Sequence, residues 1–417
     1  MKKIYLIMAA VLGMTFQSCL MEEKQLFDKT PAERMDAYLS EFGQVLESSE
    51  GGWLLEYYAE DEQSYGGYPY ILKFANGEVT AYFQLAENLE ETKTSYYKLV
   101  ADDGPVLTFD TYNEYIHYFS TPDIVNYQAL QGDYEYRLVG KNDAGTELYV
   151  QGKRTMNNMI LRKFEGDPVE YLAKTLEVES EATAPSYTFE FGDVKGVCAL
   201  GGNYLEFEYT ANEETVEGGS AFCFTDTGIR LYKAIEVDGV EITEFTFNFE
   251  TSSMTSNTGA VKIVNVYPPL SEQITIGNWS IVGSGLGAYG QQIVKAVNAT
   301  NIAALGGIGA LILGNYTGSG WGLNLYVNAG YWGVYGIDMT VVADDKITTV
   351  YNASKNAINA NTFISYGSGQ LLNFIGNGTP ITYTLTADDV RKPNWIRFTD
   401  DSNPDNVITF VKGVSML

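Results

Sequence analysis

Apolar positions recur in two rhythms along the chain, and the change of rhythm marks out its elements. Met35, Leu39, Phe42 and Leu46 follow one another at steps of four, three and four, the spacing of one helical face. Just ahead of that stripe, Thr30-Pro31-Ala32-Glu33 supplies a capping hydroxyl, a proline at the first helical position and a glutamate at the third. That is a helix start. The helix should end near Ser48, before Gly51-Gly52, and no other stretch carries so clear a helical stripe.

From Trp53 onward the period shortens to two, the rhythm of strands. Residues 53–58, 70–74, 79–85, 95–100, 106–109, 115–119, 134–139, 147–152 and 159–164 read as strands. Turns such as Ala75-Asn76-Gly77 and Asn142-Asp143-Ala144-Gly145 separate them. Eight or nine short strands in sequence favour an up-and-down barrel or a curled meander. With a helix ahead of it, the set resembles a lipocalin-type barrel at the level of fold. A second series, at 188–191, 204–209, 221–224, 229–231, 235–237, 240–242 and 245–249, closes with 261–266 before Pro268-Pro269, a candidate linker. The apolar, glycine-broken stretch 301–316 is too short to cross a membrane and reads as a buried hairpin or short helix. The predicted fold class is all-β, multidomain and antiparallel. Its divisions are a signal peptide at 1–18, a lipidated tether at 19–29, a helix-plus-meander domain at 30–168, a second β domain at 169–267 and a glycine-rich β domain at 270–417.

The signal peptide is read from Lys2 and Lys3 followed by the uncharged apolar run 4–16. It stops at Phe16-Gln17-Ser18-Cys19, which resembles a loose bacterial lipobox, so Cys19 is the candidate lipidation site. Leu20-Met21-Glu22-Glu23 directly behind it resembles the surface-export signal of Bacteroidota lipoproteins. The expected location is the outer membrane, lipid-anchored and facing outward.

Charge narrows the partners. With 26 Lys+Arg against 53 Asp+Glu the net charge is −27, which argues against nucleic acid and against electrostatic docking on anionic lipid. The acidity lies upstream: residues 271–417 hold 9 acids and 7 bases, and 20 of the 42 glycines. One histidine and three cysteines exclude most imidazole–thiolate metal sites, so neither metal nor cofactor is expected. Beyond Cys19, Cys198 and Cys223 could form a disulfide or remain two buried thiols.

Each candidate for chemistry has a plainer reading beside it. The acidic runs Glu60-Asp61-Glu62 and Glu87 to Glu91 could hold a hydrolytic carboxylate pair, but charge runs of this kind are ordinarily solvated surface. His117, the sole candidate base, sits between aromatics and reads as strand packing. Asp400 to Asn406 is rich in oxygen ligands suited to calcium, yet lacks the EF-hand spacing and is equally rich in turn formers. No catalytic residue is assigned, and no enzyme activity is expected. Aromatics are the unusual resource: 31 Tyr, 20 Phe and 5 Trp. Trp321, Tyr326, Tyr331, Trp332 and Tyr335 cluster in a charge-poor segment with Asn324 and Asn328. Rings beside amides suit flat neutral ligands such as sugars, whereas aromatic strands are also ordinary core. Strand parity puts Trp332, Asn328 and Tyr326 on one face, the preferred ligand-binding set, with Trp321 a further candidate.

The motifs FDKTPAERM (27–35), GWLLEYY (52–58), SYGGY (64–68), GPVLTFDTYN (104–113), TGIRLY (227–232), ITEFTF (242–247) and NWIRFTDDSNPDN (394–406) together resemble the domain-of-unknown-function 4302 family, lipoproteins of Bacteroidota. The resemblance implies a surface protein of polymer- or nutrient-uptake loci and assigns no catalytic residue. The expected function is non-catalytic ligand binding in nutrient capture, with carbohydrate or outer-membrane uptake proteins as partners. The alternatives are a structural or protein-interaction lipoprotein of an envelope complex and, behind both, a carboxylate-dependent hydrolase.

Overall fold

The structure, a computed structural model, describes residues 29–211 and 213–415. Cys19, the signal segment 1–18 and most of the tether lie outside the described residues. The chain divides into two compact units at the Asn265–Val266 junction.

Helix α1 (Pro31–Glu47) begins as its sequence dictates. Thr30 Oγ1 accepts from Glu33 N at 3.3 Å while Glu33 Oε2 accepts from Thr30 N at 2.9 Å. Its stripe buries Phe42 and Leu46, and Trp53 Nε1 donates to Leu46 O at 2.9 Å. Then follow β1 (Trp53–Tyr58), β2 (Gly67–Ala75), β3 (Glu78–Phe83), β4 (Lys93–Tyr96), β5 (Lys98–Ala101), β6 (Pro105–Thr108), β7 (Glu135–Lys141), β8 (Glu147–Gly152) and β9 (Asn158–Lys163). Strands β4 and β5 are one line interrupted at Tyr97, its first half paired to β3 and its second to β6. With β9 returning to β1, the meander closes into a barrel. Alternate residues fill it: Tyr57, Tyr70, Phe83, Phe109 and Tyr136 are all buried in one cluster.

The strand expected at 115–119 is absent. Asn113 Oδ1 accepts from Tyr115 N and Ile116 N, at 3.1 and 3.3 Å, and its Nδ2 donates to Lys93 O at 3.0 Å. These local bonds compete with a ladder and win. The segment turns instead into a 3-10 helix at Tyr118–Ser120, and Tyr115, Ile116 and Phe119 plug the barrel.

A second helix, α2 (Pro168–Ala182), corrects the one-helix reading. Asp167 caps it, accepting from Val169 N and Glu170 N, and Pro168 occupies the first turn. Its buried stripe of Leu172, Thr175, Val178 and Ala182 is half polar or small, which hides the period in the sequence. It leads into β10 (Ser186–Phe191), β11 (Val194–Gly201), β12 (Tyr204–Ala211), β13 (Glu214–Phe224), β14 (Gly228–Val237), β15 (Val240–Asn248), β16 (Ser253–Ser256) and β17 (Val261–Val266). Pairing of β10 with β17 closes a second eight-stranded barrel. The runs 229–231 and 235–237 are one strand, β14, whose register shifts between Arg230 and Ile235.

The two barrels of this unit meet through named groups. Glu56, only 6% exposed, takes Arg162 Nη1 at 2.9 Å and also pairs with Arg230, whose Nε reaches Glu244 at 3.3 Å. Tyr58 packs on Tyr232 with ring centroids 4.6 Å apart. Cys223 bridges Gly67 in parallel, an approach that only glycine permits: a Cβ there would lie 2.6 Å from the Tyr58 ring. Both cysteines are free thiols, so the disulfide considered above does not form. Cys223 belongs to the first barrel's cluster, whereas Cys198 packs with the second's.

The second unit holds β18 (Trp279–Leu286), β19 (Ile308–Gly314), β20 (Gly322–Val327), β21 (Tyr331–Ala343), β22 (Lys346–Tyr351), β23 (Ala357–Ile358), β24 (Ile381–Ala387), β25 (Trp395–Asp400) and β26 (Val407–Lys412). Pairings run β18–β19–β20–β21–β22–β24–β25–β26 and back to β18, another closed antiparallel ring, with β23 flanking β21. Short helices α3 (Leu270–Gln273), α4 (Ala288–Asn298) and α5 (Ala360–Ser365) complete it. The stretch 301–316 is a 3-10 turn, Asn301–Leu305, followed by the wholly buried β19.

Candidate functional site

The preferred set lies on the β20–β21 hairpin of the second unit. Tyr326 and Trp332 stand directly opposite each other across the ladder, so both rings project from the same face. Their centroids are 4.8 Å apart. Tyr316, in the β19–β20 connection, folds back to bring its centroid to 4.9 Å from Trp332. Trp332 and Tyr326 are part-buried and Tyr316 is exposed. Beneath Tyr326 the neighbouring strand carries Gly309; a Cβ there would come within 2.7 Å of the Tyr326 ring and 2.4 Å of Asn328 Oδ1. Asn328 is thereby drawn beside Tyr326, its Nδ2 donating to Gly306 O at 2.9 Å. The surface so formed has three rings and one amide, and none of these groups is charged.

Trp321 is set apart from this surface: it packs against the unit's core, and its Nε1 is buried without a hydrogen-bond partner among the described residues. Asn324 is structural. Fully buried, it donates through Nδ2 to the carbonyls of Ile312, Gly314 and Gly322 at 2.9–3.1 Å. Tyr335 is likewise core, bonded to Ser368 Oγ at 2.6 Å. Tyr316 is the member that the sequence did not reveal, because its place depends on how the hairpin folds back. Ring chemistry here fits stacking on the apolar C–H face of a neutral ligand, with the amide left to meet hydroxyls.

The remaining candidates resolve into structural roles. Glu60 Oε2 accepts from Glu62 N, Ser64 N and Ser64 Oγ, and Glu91 pairs with Lys93 at 2.6 Å. His117 is stacked between Tyr134 and Tyr112, at 4.9 and 5.3 Å, and burial lowers its pKa against two backbone hydrogen bonds. Burial opposes ionisation of Asp400, but Asn406, Ser402 and two backbone N–H groups outweigh it and hold the carboxyl below its ordinary range. Its oxygens are thus occupied within the turn. Burial alone pushes the Cys198 thiol up to about 12, which leaves it an inert apolar group.

Among solved structures, the chain is 11% identical to DNA polymerase III subunit beta of Borrelia burgdorferi, covering 91% of this chain and 98% of that one with a TM-score of 0.13. It is 9% identical to the same subunit of Thermotoga maritima, covering 92% and 98% with a TM-score of 0.12. Superposition that poor carries no argument about fold or function. No curated protein matches the chain. The model of the family described as "Domain of unknown function (DUF4302)" matches residues 23–249, more than half of the chain, and the protein belongs to that family.

Proposed function

We propose that this protein is a lipid-anchored, outward-facing outer-membrane protein that binds neutral ligand, glycan foremost, as a non-catalytic accessory of nutrient capture. The observation that carries the reading is the uncharged ring surface of Tyr316, Trp332 and Tyr326, open to solvent in a unit otherwise poor in charge. The anchor rests on Cys19 behind the apolar run 4–16. Affinity electrophoresis through gels cast with neutral polysaccharides tests the ligand. Retardation by at least one polysaccharide, reduced severalfold by Trp332→Ala, supports the reading; free migration through every gel defeats it. For the anchor, Cys19→Ala should release the protein from washed membranes or block its maturation.

A second reading, an interaction lipoprotein of an envelope complex, is favoured by one feature. Ile124, Val125 and Tyr127 stand exposed on the connection between β6 and β7. Loss of a co-purifying envelope partner on Ile124→Ser with Val125→Ser would favour it over ligand capture.

A further inference from the structure

We infer that the mouth of the second barrel binds a small organic cation, a primary or quaternary ammonium, held by Glu179 against aromatic walls. The inference is independent of the glycan reading, which concerns the other unit.

A cavity of about 300 Å³ opens where β10 and β16 begin and β11 and β13 end, so it lies at one end of the barrel rather than on its side. Tyr187, Phe222 and Phe224 wall it from within, and Tyr68 and Asn203 stand at its rim. The last turn of α2 lies over it and contributes Glu179. Barrel mouths of this size are common ligand sites.

The charge in this cavity is poorly matched. Gln84 Nε2 donates to Glu179 Oε2 at 2.7 Å, and among the described residues no lysine or arginine pairs with the carboxylate. Burial accordingly pushes its pKa up against that hydrogen bond. Two further features add to the mismatch. Glu179 sits at the C-terminal end of α2, where the helix carries its negative pole and no basic residue relieves it. Gln84 Oε1, buried, finds no donor among the described residues. A carboxylate in an aromatic box at a helix C-terminus therefore lacks one thing, a compact cation, and ring faces attract cations as well. A sugar would leave the charge uncompensated. An anion would be repelled.

Titration calorimetry on the mature chain at physiological salt supplies the test, with tetramethylammonium and n-butylammonium chlorides as probes. tert-Butanol and n-pentanol serve as neutral counterparts. Saturable ammonium binding, at least about tenfold weaker in Glu179→Gln with the alcohols unaffected, is expected. Leu200→Trp, which fills the cavity and leaves the carboxylate in place, should abolish ammonium binding too and carries the test if the first variant does not fold. The inference fails if no ammonium saturates the wild type. It also fails if the alcohols bind equally well, if Glu179→Gln weakens ammonium binding by less than about tenfold, or if Leu200→Trp still binds ammonium, since the acidic surface alone would then be collecting cations.

Discussion

At Glu56 every charged group finds a partner. The carboxylate meets Arg162 and Arg230, and Arg230 passes on to Glu244, all where two barrels of one unit close over them. At Trp332 three rings meet one another without a charged partner, part-buried or exposed on the outer face of the second unit's barrel. Both clusters sit on barrel exteriors built by the same alternation of side chains. The difference teaches how to sort surface resources in a chain without a known reaction. Groups whose bonding capacity is already spent hold the fold, and groups left with open faces are free to meet a ligand.

The sharpest way to break that comparison is to remove Glu56. Glu56→Gln should cost about 2–3 kcal/mol, since Arg162 and Arg230 lose the buried carboxylate they share and keep only Glu147 and Glu244; an unfolding free energy in urea lowered by less than a fifth of that would show the network to be ornamental. Next comes Asn324, which the sequence grouped with the ligand surface. Asn324→Ala removes a buried donor shared by three carbonyls and should cost the second unit about 2 kcal/mol, while polysaccharide retardation stays as in the wild type. Reduced retardation without reduced stability would return Asn324 to the site. Trp332→Ala should do the reverse: roughly fivefold weaker binding, about 1 kcal/mol of stacking, with the unfolding midpoint nearly unmoved. The smallest effect concerns His117. Its folded pKa lies below the unfolded value near 6.5, so its contribution to stability is complete above that pH and is lost as pH falls through 6.5 toward the folded value. His117→Gln should flatten that part of the melting-temperature profile between pH 7.5 and 5; an unchanged slope would mean the imidazole is solvated.

What the sequence made legible was local. Thr30, Pro31 and Glu33 start a helix by contacts within four residues, and they do so here. Asn76-Gly77 turns β2 into β3, both residues at positive φ, because few other pairs can. The all-β class followed from such turns and from alternation. Parity alone placed Tyr326 and Trp332 on one face. What stayed hidden depends on partners far along the chain. Arg230 lies 174 positions from Glu56, and nothing near either residue announces the other. α2 was missed because a helix wedged beside two barrels can bury Thr175 and Ala182 as well as leucines. The missing strand at 115–119 shows the opposite failure: one asparagine side chain, Asn113, outbid the alternation of its neighbours. Glu179 could not be told from the other carboxylates until the cavity gave it a setting.

Closure of the three rings has a consequence for how anything else can hold this protein. An open sheet offers a row of unpaired amides and carbonyls to which another strand can add, and crowded proteins with such rims aggregate through them. Here the pairing of β9 with β1, β17 with β10 and β20 with β21 takes up the rims, apart from the two-residue β23, which pairs only with β21. The interruption at Tyr97 between β4 and β5 is sheltered by Asn113 on Lys93 O and by α1 lying against Leu99. Most of the backbone bonding capacity of the described strands is thus spent within the rings. Along the closed rings, recognition therefore runs through side chains, on faces, at mouths and in loops, where a single substitution can be expected to show.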